Sequence, residues 1–316
     1  MTHQALAPLE QTRMPTPQPE HQPNQRLGII AALGAFGLWG VAPMYFKLLV
    51  GVSALEIIVH RIIWAIPLLV IFLVIRDGKS FWLRMKLPRK TILGLLLSGS
   101  LVATNWLVFV WAVTHDHVLE TSLGYFINPL VNVLLGTLFL KERLTKLQAV
   151  AVVTAFAGTA YLAWYLGQPP WISLVLGFSF GFYGLVRKRL GVGPMIGLLW
   201  EALLLAIPTL LAGIWIANTQ GFQFGAISTR IDLLLIGAGL VTVVPLIWFN
   251  TAAQNLALTT VGFFQYIAPT LTFLLAVFLY GENFTPGHMV AFSCIWISLA
   301  MVSAESVLRP RRVRIP

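Results

Sequence analysis

Glu56, His60 and Arg61 lie within two helical turns of one another inside an otherwise apolar stretch. A carboxylate one turn from an imidazole can take up and release a proton near neutral pH, because histidine titrates there. Glu201 sits inside a second apolar stretch and Glu120 at the start of a third. Charges buried in apolar segments are expensive unless paired, so the plainer expectation joins Arg61 to one of the carboxylates to hold helices together. Proton or charge coupling through Glu56, His60, Arg61, Glu120 and Glu201 is the functional alternative.

A second set is polar but uncharged. Tyr125, Asn128 and Asn132 fall at i, i+3 and i+7 and share one helix face. Gln265 and Thr272 stand at the equivalent points of a later stretch, with Tyr266 beside them. Asn105, Trp106, Asn250 and Gln254 extend this lining, and Trp39 and Tyr183 add aromatic walls. Turned toward lipid such a face would be costly, so it is expected to line a solute cavity, with hydrogen bonding between helices as the simpler use. Pro129 and Pro269 occupy matched places beside it. Each removes a backbone donor and crowds the carbonyl one turn earlier, a helix break of the kind that marks binding sites in carriers.

Other chemistry is excluded by spacing. His115, Asp116 and His117 form a ligand-like cluster, but in a short turn where solvated polar residues are ordinary, and no metal is expected. Gly78-Lys79-Ser80 resembles the end of a phosphate loop with Leu73 in place of its first glycine, so neither a nucleotide nor another cofactor is implied. Cys294 is the single cysteine, which rules out a disulfide within the chain.

These residues are carried by long apolar blocks. Hydrophobic residues make up 58% of the 316 positions and charged residues 10%, against roughly 25% charged in ordinary globular domains. The blocks run Leu27–Val50, Ser53–Ile75, Thr91–Val113, Val118–Leu140, Leu147–Leu166, Trp171–Val186, Met195–Ala217, Ile231–Ala253, Thr260–Tyr280 and His288–Val307. Most approach the roughly 20 residues a helix needs to cross a bilayer, so the fold expected is an all-α membrane protein of ten transmembrane helices. Residues 1–26, rich in Pro, Gln and Thr, read as a disordered cytoplasmic tail, and 308–316 as a basic cytoplasmic tail. The net charge of +10 does not point to nucleic acid. Basic residues crowd alternate loops and both ends, while the opposite loops hold only Arg230, which places both termini in the cytoplasm.

The segment Leu95–Val150 aligns without a gap to Leu235–Val290 at a constant offset of 140. Gly99 matches Gly239, Phe109 matches Phe249, Pro129 matches Pro269 and Glu142 matches Glu282. Matched loops differ in charge: Glu142 has basic neighbours and Glu282 has none. Two five-helix repeats, 27–166 and 171–307, are therefore expected in opposite orientations, since an odd number of spans turns the second copy over. Gly37 with Gly40 and Gly181 with Gly184, at an offset of 144, are expected at close helix crossings.

The sequence from about Leu27 to Glu305 resembles a RarD-type permease of the EamA group within the drug/metabolite transporter superfamily. The resemblance is carried by Trp39-Gly40-Val41-Ala42-Pro43, His60-Arg61, Asn105-Trp106, Ser122 to Asn132, Phe182 to Lys188 and Gly262 to Ile267 before Pro269-Thr270. It implies ten helices in two inverted EamA-like repeats, a central cavity, a bacterial inner-membrane location and secondary transport of a small metabolite or drug-like solute. It transfers no binding residues. A membrane-embedded enzyme, or a sensor or assembly factor without flux, is the alternative; an enzyme would need a concentrated acid-base or metal constellation, which the helix ends lack.

Overall fold

The computed structural model describes residues 24–140, 145–256, 261 and 264–308. Long helices account for most of them: α1 (Gln25–Lys47), α2 (Ala54–Asp77), α3 (Arg89–Thr114), α4 (Val118–Leu140), α5 (Lys146–Leu166), α6 (Trp171–Leu190), α7 (Pro194–Thr219), α8 (Thr229–Asn255), α9 (Ile267–Leu274) and α10 (Pro286–Leu308). Among the described residues there is no strand, and each hydrophobic block falls on a helix. The expected tails at 1–23 and 309–316, and Glu142 with its basic neighbours Lys141 and Arg143, lie outside the described residues.

Local sequence sets the helix ends. Asn24 accepts from the N–H of Leu27, so α1 begins at Gln25 and takes in Gln25 and Arg26, both expected in the tail. Ser53 and Ser228 cap α2 and α8 the same way, and Thr145 with Gln148 forms a reciprocal capping box at α5. Gly167 and Gly191 stop α5 and α6 in the left-handed region that glycine enters without strain.

Seven of these helices are long and apolar enough to cross a membrane, and Trp171–Arg187, Ile267–Leu279 and Pro286–Met301 are shorter apolar stretches. Their outer faces expose Ile30, Ile75, Phe156 and Phe278 to more than two thirds. Apolar surface on that scale needs lipid or protein against it. The chain is a multi-pass membrane protein.

The closest packing runs between the first five helices and the second five. α1 lies on α8 and α9, α6 on α3 and α4, α2 on α8, and α7 on α3; α2 crosses α7, α4 crosses α9, and α5 pairs with α10. Glycines mark the crossings. Gly40 of α1 faces Leu271, whose Cβ would lie 2.8 Å from an added methyl, and Gly181 of α6 faces Val131 at 2.6 Å. Gly239 of α8 meets the Trp64 backbone at 2.8 Å, and Gly99 of α3 meets Glu201 at 3.4 Å. Gly37 and Gly184 meet nothing within 4 Å. The expected correspondence of Gly37 with Gly181 and Gly40 with Gly184 is therefore replaced by Gly40 with Gly181, an offset of 141, because contact rather than residue identity sets the equivalence.

Gly124 of α4 tests this packing: a methyl there would sit 2.9 Å from the Ser173 carbonyl oxygen and 3.1 Å from its Cα. Helix backbone cannot step aside, so Gly124→Ala should destabilise by about 1–3 kcal/mol. Gly37→Ala, with open space around it, should stabilise by up to about 1 kcal/mol through helix propensity. Thermal unfolding of the detergent-solubilised protein checks both signs.

Candidate functional site

Two arrangements of polar side chains occupy the interior where the halves meet. In the first, Asn105 on α3 is 1% exposed and ties three helices together. Its Nδ2 donates to the Leu176 carbonyl at 2.9 Å and to Ser179 Oγ at 3.0 Å on α6, and its Oδ1 accepts from Tyr125 on α4 at 3.1 Å. Asn128 donates to the Gly177 carbonyl at 3.2 Å and accepts from Asn132 at 2.9 Å. The predicted face of α4 thus turns inward at Tyr125 and Asn128, while Asn132 is exposed.

In the second, Arg61 on α2 is 5% exposed. Its Nε donates to Thr242 Oγ1 on α8 at 2.6 Å, and the guanidinium lies over the Trp106 ring at 4.3 Å and beside that of Phe46 at 5.4 Å. No carboxylate pairs with Arg61 among the described residues, so the ion pair expected from sequence is not formed. The negative ring faces supply part of that stabilisation. Its NH1 is buried without a hydrogen-bond partner.

Glu201 on α7 lies 140 residues after Arg61, the offset of the repeat. It is 1% exposed, accepts from Ser98 Oγ on α3 at 2.5 Å and from Tyr183 OH on α6 at 3.5 Å, and pairs with Arg187 at 3.5 Å. Gly197 gives the Arg187 guanidinium its room, because an added Cβ would collide with it. A closed cavity of about 10 Å³ lies against Ile62, Val102, Trp106, Leu198, Glu201 and Thr242. That is roughly one water's occupancy, too little space for a solute.

Another set of charged groups gathers at one end of the bundle. Glu56, fully buried, accepts from the Gln223 N–H at 2.9 and 3.1 Å and from the Phe224 N–H at 2.9 Å, clamping the α7–α8 loop. His60 accepts from Trp64 at 3.1 Å and packs its ring on Phe224 at 4.7 Å, so Glu56 and His60 do not bond to each other. Glu120 meets His117 at 3.1 Å. Glu282, after α9, accepts from the Val118 and Leu119 N–H groups at 2.8 Å each and caps α4; burial pushes its carboxyl above the usual range against the pull of those donors. Lys47 pairs with Asp116 and holds that carboxyl below the usual range. His115 and His117 stack on Trp111 at 4.7 and 5.6 Å. No group of three metal-ligating side chains is gathered among the described residues. A cleft of about 400 Å³ opens at this end between Ser53, Glu56, Thr114, His115, Gln220 and Gln223.

The other expected lining residues are dispersed. Trp39 packs on Phe36 and Phe249 at 5.6 and 5.9 Å, Thr272 donates to the Gly40 carbonyl at 3.3 Å, and Asn250, Gln265 and Tyr266 are half-buried. The side chains of Gln254 and Pro129 lie outside the described residues. The chain turns at Tyr266 just before α9, with Pro269 in its first turn, whereas α4 stays helical through position 129. A proline costs one backbone bond without having to end the helix. Thr242, Ser98 and Ser179 carry no signal in the sequence, because serine and threonine are common in apolar helices and only the facing helix reveals their partners; Arg187, expected among the basic residues of a cytoplasmic segment, pairs with Glu201.

The family model of the EamA-like transporter family matches residues 26–164 and again 170–304. Among curated proteins the chain is 46% identical over 288 residues to Protein RarD of Salmonella typhimurium, covering 91% of this chain and 98% of that one. It is 43% identical over 293 residues to an uncharacterized transporter of Pseudomonas aeruginosa, covering 93% and 98%. A solved crystal structure overlays with a TM-score of 0.60 at 15% identity, covering 92% of this chain and all of the other; at that identity it speaks to the fold alone.

Proposed function

The chain belongs to the EamA-like transporter family, and from that premise we propose that it is a secondary carrier moving a small solute across the bacterial inner membrane by alternating access. In this reading the ten helices all span, the two groups of five are inverted repeats, and both termini face the cytoplasm.

The observation that carries it is the symmetry of the helix contacts. Exchanging α1–α5 for α6–α10 turns α1 on α8 into α6 on α3, α1 on α9 into α6 on α4, and α2 on α8 into α7 on α3, while α2–α7, α4–α9 and α5–α10 map onto themselves. Gly40–Leu271 becomes Gly181–Val131 under the same exchange. Interleaved copies with an odd number of spans can rock about the axis between them and open the space at Trp106, Glu201 and Thr242 to each side in turn. A membrane enzyme would need free acid and base groups near a face; at the bundle end the buried Glu56 and the half-buried Glu282 are occupied by backbone N–H donors, and Glu120 meets His117. A proton-coupled cycle would run through Glu201, the carboxylate at the cavity.

Mass-spectrometric comparison of solutes inside and outside cells that lack or overproduce the protein tests the reading. A small set of solutes should change sides with expression, and unchanged profiles in both strains would remove the carrier assignment. The inversion has its own check: reporter tags after Ala217 and after Arg314 should report opposite sides, and the same side for both would contradict it.

A further inference from the structure

We infer that Arg61 is the solute-binding cation of this carrier and that the solute it selects bears an anionic group, a carboxylate or an oxyanion of phosphate or sulfate. The inference rests on the carrier reading and names its substrate class.

Arg61 is 5% exposed, inside a membrane-spanning helix, and among the described residues has no carboxylate partner. An uncompensated charge in such a place is costly and is kept where it meets a counter-charge. Its surroundings aim it without neutralising it. Thr242 Oγ1 accepts a hydrogen bond from Nε at 2.6 Å, and Trp106 and Phe46 hold the guanidinium at 4.3 and 5.4 Å. NH1 is left buried and unbonded. A guanidinium held with a free edge is suited to an oxyanion, which accepts two parallel hydrogen bonds from it.

Position agrees with this role. Thr242 and Trp106, which hold the guanidinium, also wall the closed cavity between the halves. The equivalent place in the second half holds Glu201, whose charge is already matched by Arg187. The axis between the repeats is therefore flanked by one compensated anion and one uncompensated cation, an asymmetry that favours a negatively charged solute. A cation used only to bind helices together would carry a carboxylate partner of its own, as Arg187 has in Glu201.

The test compares solute profiles of cells making the intact protein, Arg61→Gln, Arg61→Lys or none, with the membrane level and gel-filtration profile of each variant measured alongside. Solutes that change sides with the intact protein should be anions, their flux should fall at least tenfold in Arg61→Gln, and Arg61→Lys should retain a part of it. Neutral or cationic solutes moving with the intact protein would overturn the inference and leave the carrier reading standing. No solute moving would sink both. If Arg61→Gln does not reach the membrane, Thr242→Val decides, since it frees Nε and keeps the charge: the apparent KM for the transported anion should rise at least threefold, and an unchanged KM would count against Arg61. A purely structural arginine would lower the amount of folded protein in these variants without changing KM.

Discussion

Glu201→Leu should cost the folded protein about 3–5 kcal/mol, the range for stripping one partner from a buried ion pair. The carboxylate is the hub of α3, α6 and α7: Ser98 and Tyr183 donate to it and Arg187 pairs with it, all in the interior. Leucine fills the volume but takes from Arg187 the carboxylate it pairs with in the interior. The penalty lies mainly in breaking that pair from one side, so Arg187→Met combined with Glu201→Leu should recover most of the loss. Apolar replacement of both partners of a buried pair is often neutral or stabilising. Denaturation of the purified protein in detergent gives the two numbers, and a double variant no more stable than the single would show that the hydrogen bonds, not the ion pair, dominate. Transport should remain impaired in both, because Glu201 walls the cavity.

Asn105→Leu should cost about 2–4 kcal/mol. Hydrogen bonds between membrane helices average only about 0.6 kcal/mol each, so the three made by Asn105 account for about half. The rest comes from leaving the Tyr125 hydroxyl and Ser179 without their partner in a buried layer, at about 1–3 kcal/mol for an unsatisfied group. Tyr125→Phe, which removes one bond and strands only an acceptor, should cost less than a third as much. Equal losses in the two variants would place the weight on Tyr125 instead.

What could be read from sequence follows the range of the interactions. The helices were legible because lipid demands long unbroken apolar blocks, and the polar face of α4 was legible because i, i+3, i+7 spacing is local. Tyr125 and Asn128 do point inward, but their partners, a carbonyl on α6 and Asn105, carry no signature in their own neighbourhood. Glu56 was read with His60 because the two are one turn apart. Its actual donors are backbone N–H groups of Gln223 and Phe224, and any residue type there could have supplied them. Arg61 was expected to find a carboxylate, since charge is the obvious counterpart to charge; aromatic faces and Thr242 were the less visible answer. The glycine register failed by a few positions because two glycine pairs in similar contexts align equally well by identity, and only contact distances separate them.

Alternate exposure of the space between the two halves is tested most directly by labelling a single cysteine there from each side of the membrane. Ala202 borders the closed cavity and is 7% exposed. In a Cys294→Ala background, Ala202→Cys should react with a membrane-impermeant thiol reagent added to right-side-out vesicles, and also when the reagent is added to inverted ones. Both rates should be slow, because position 202 is buried. Reaction from one side only, or from neither, would contradict a carrier that opens this cavity in turn to the two faces.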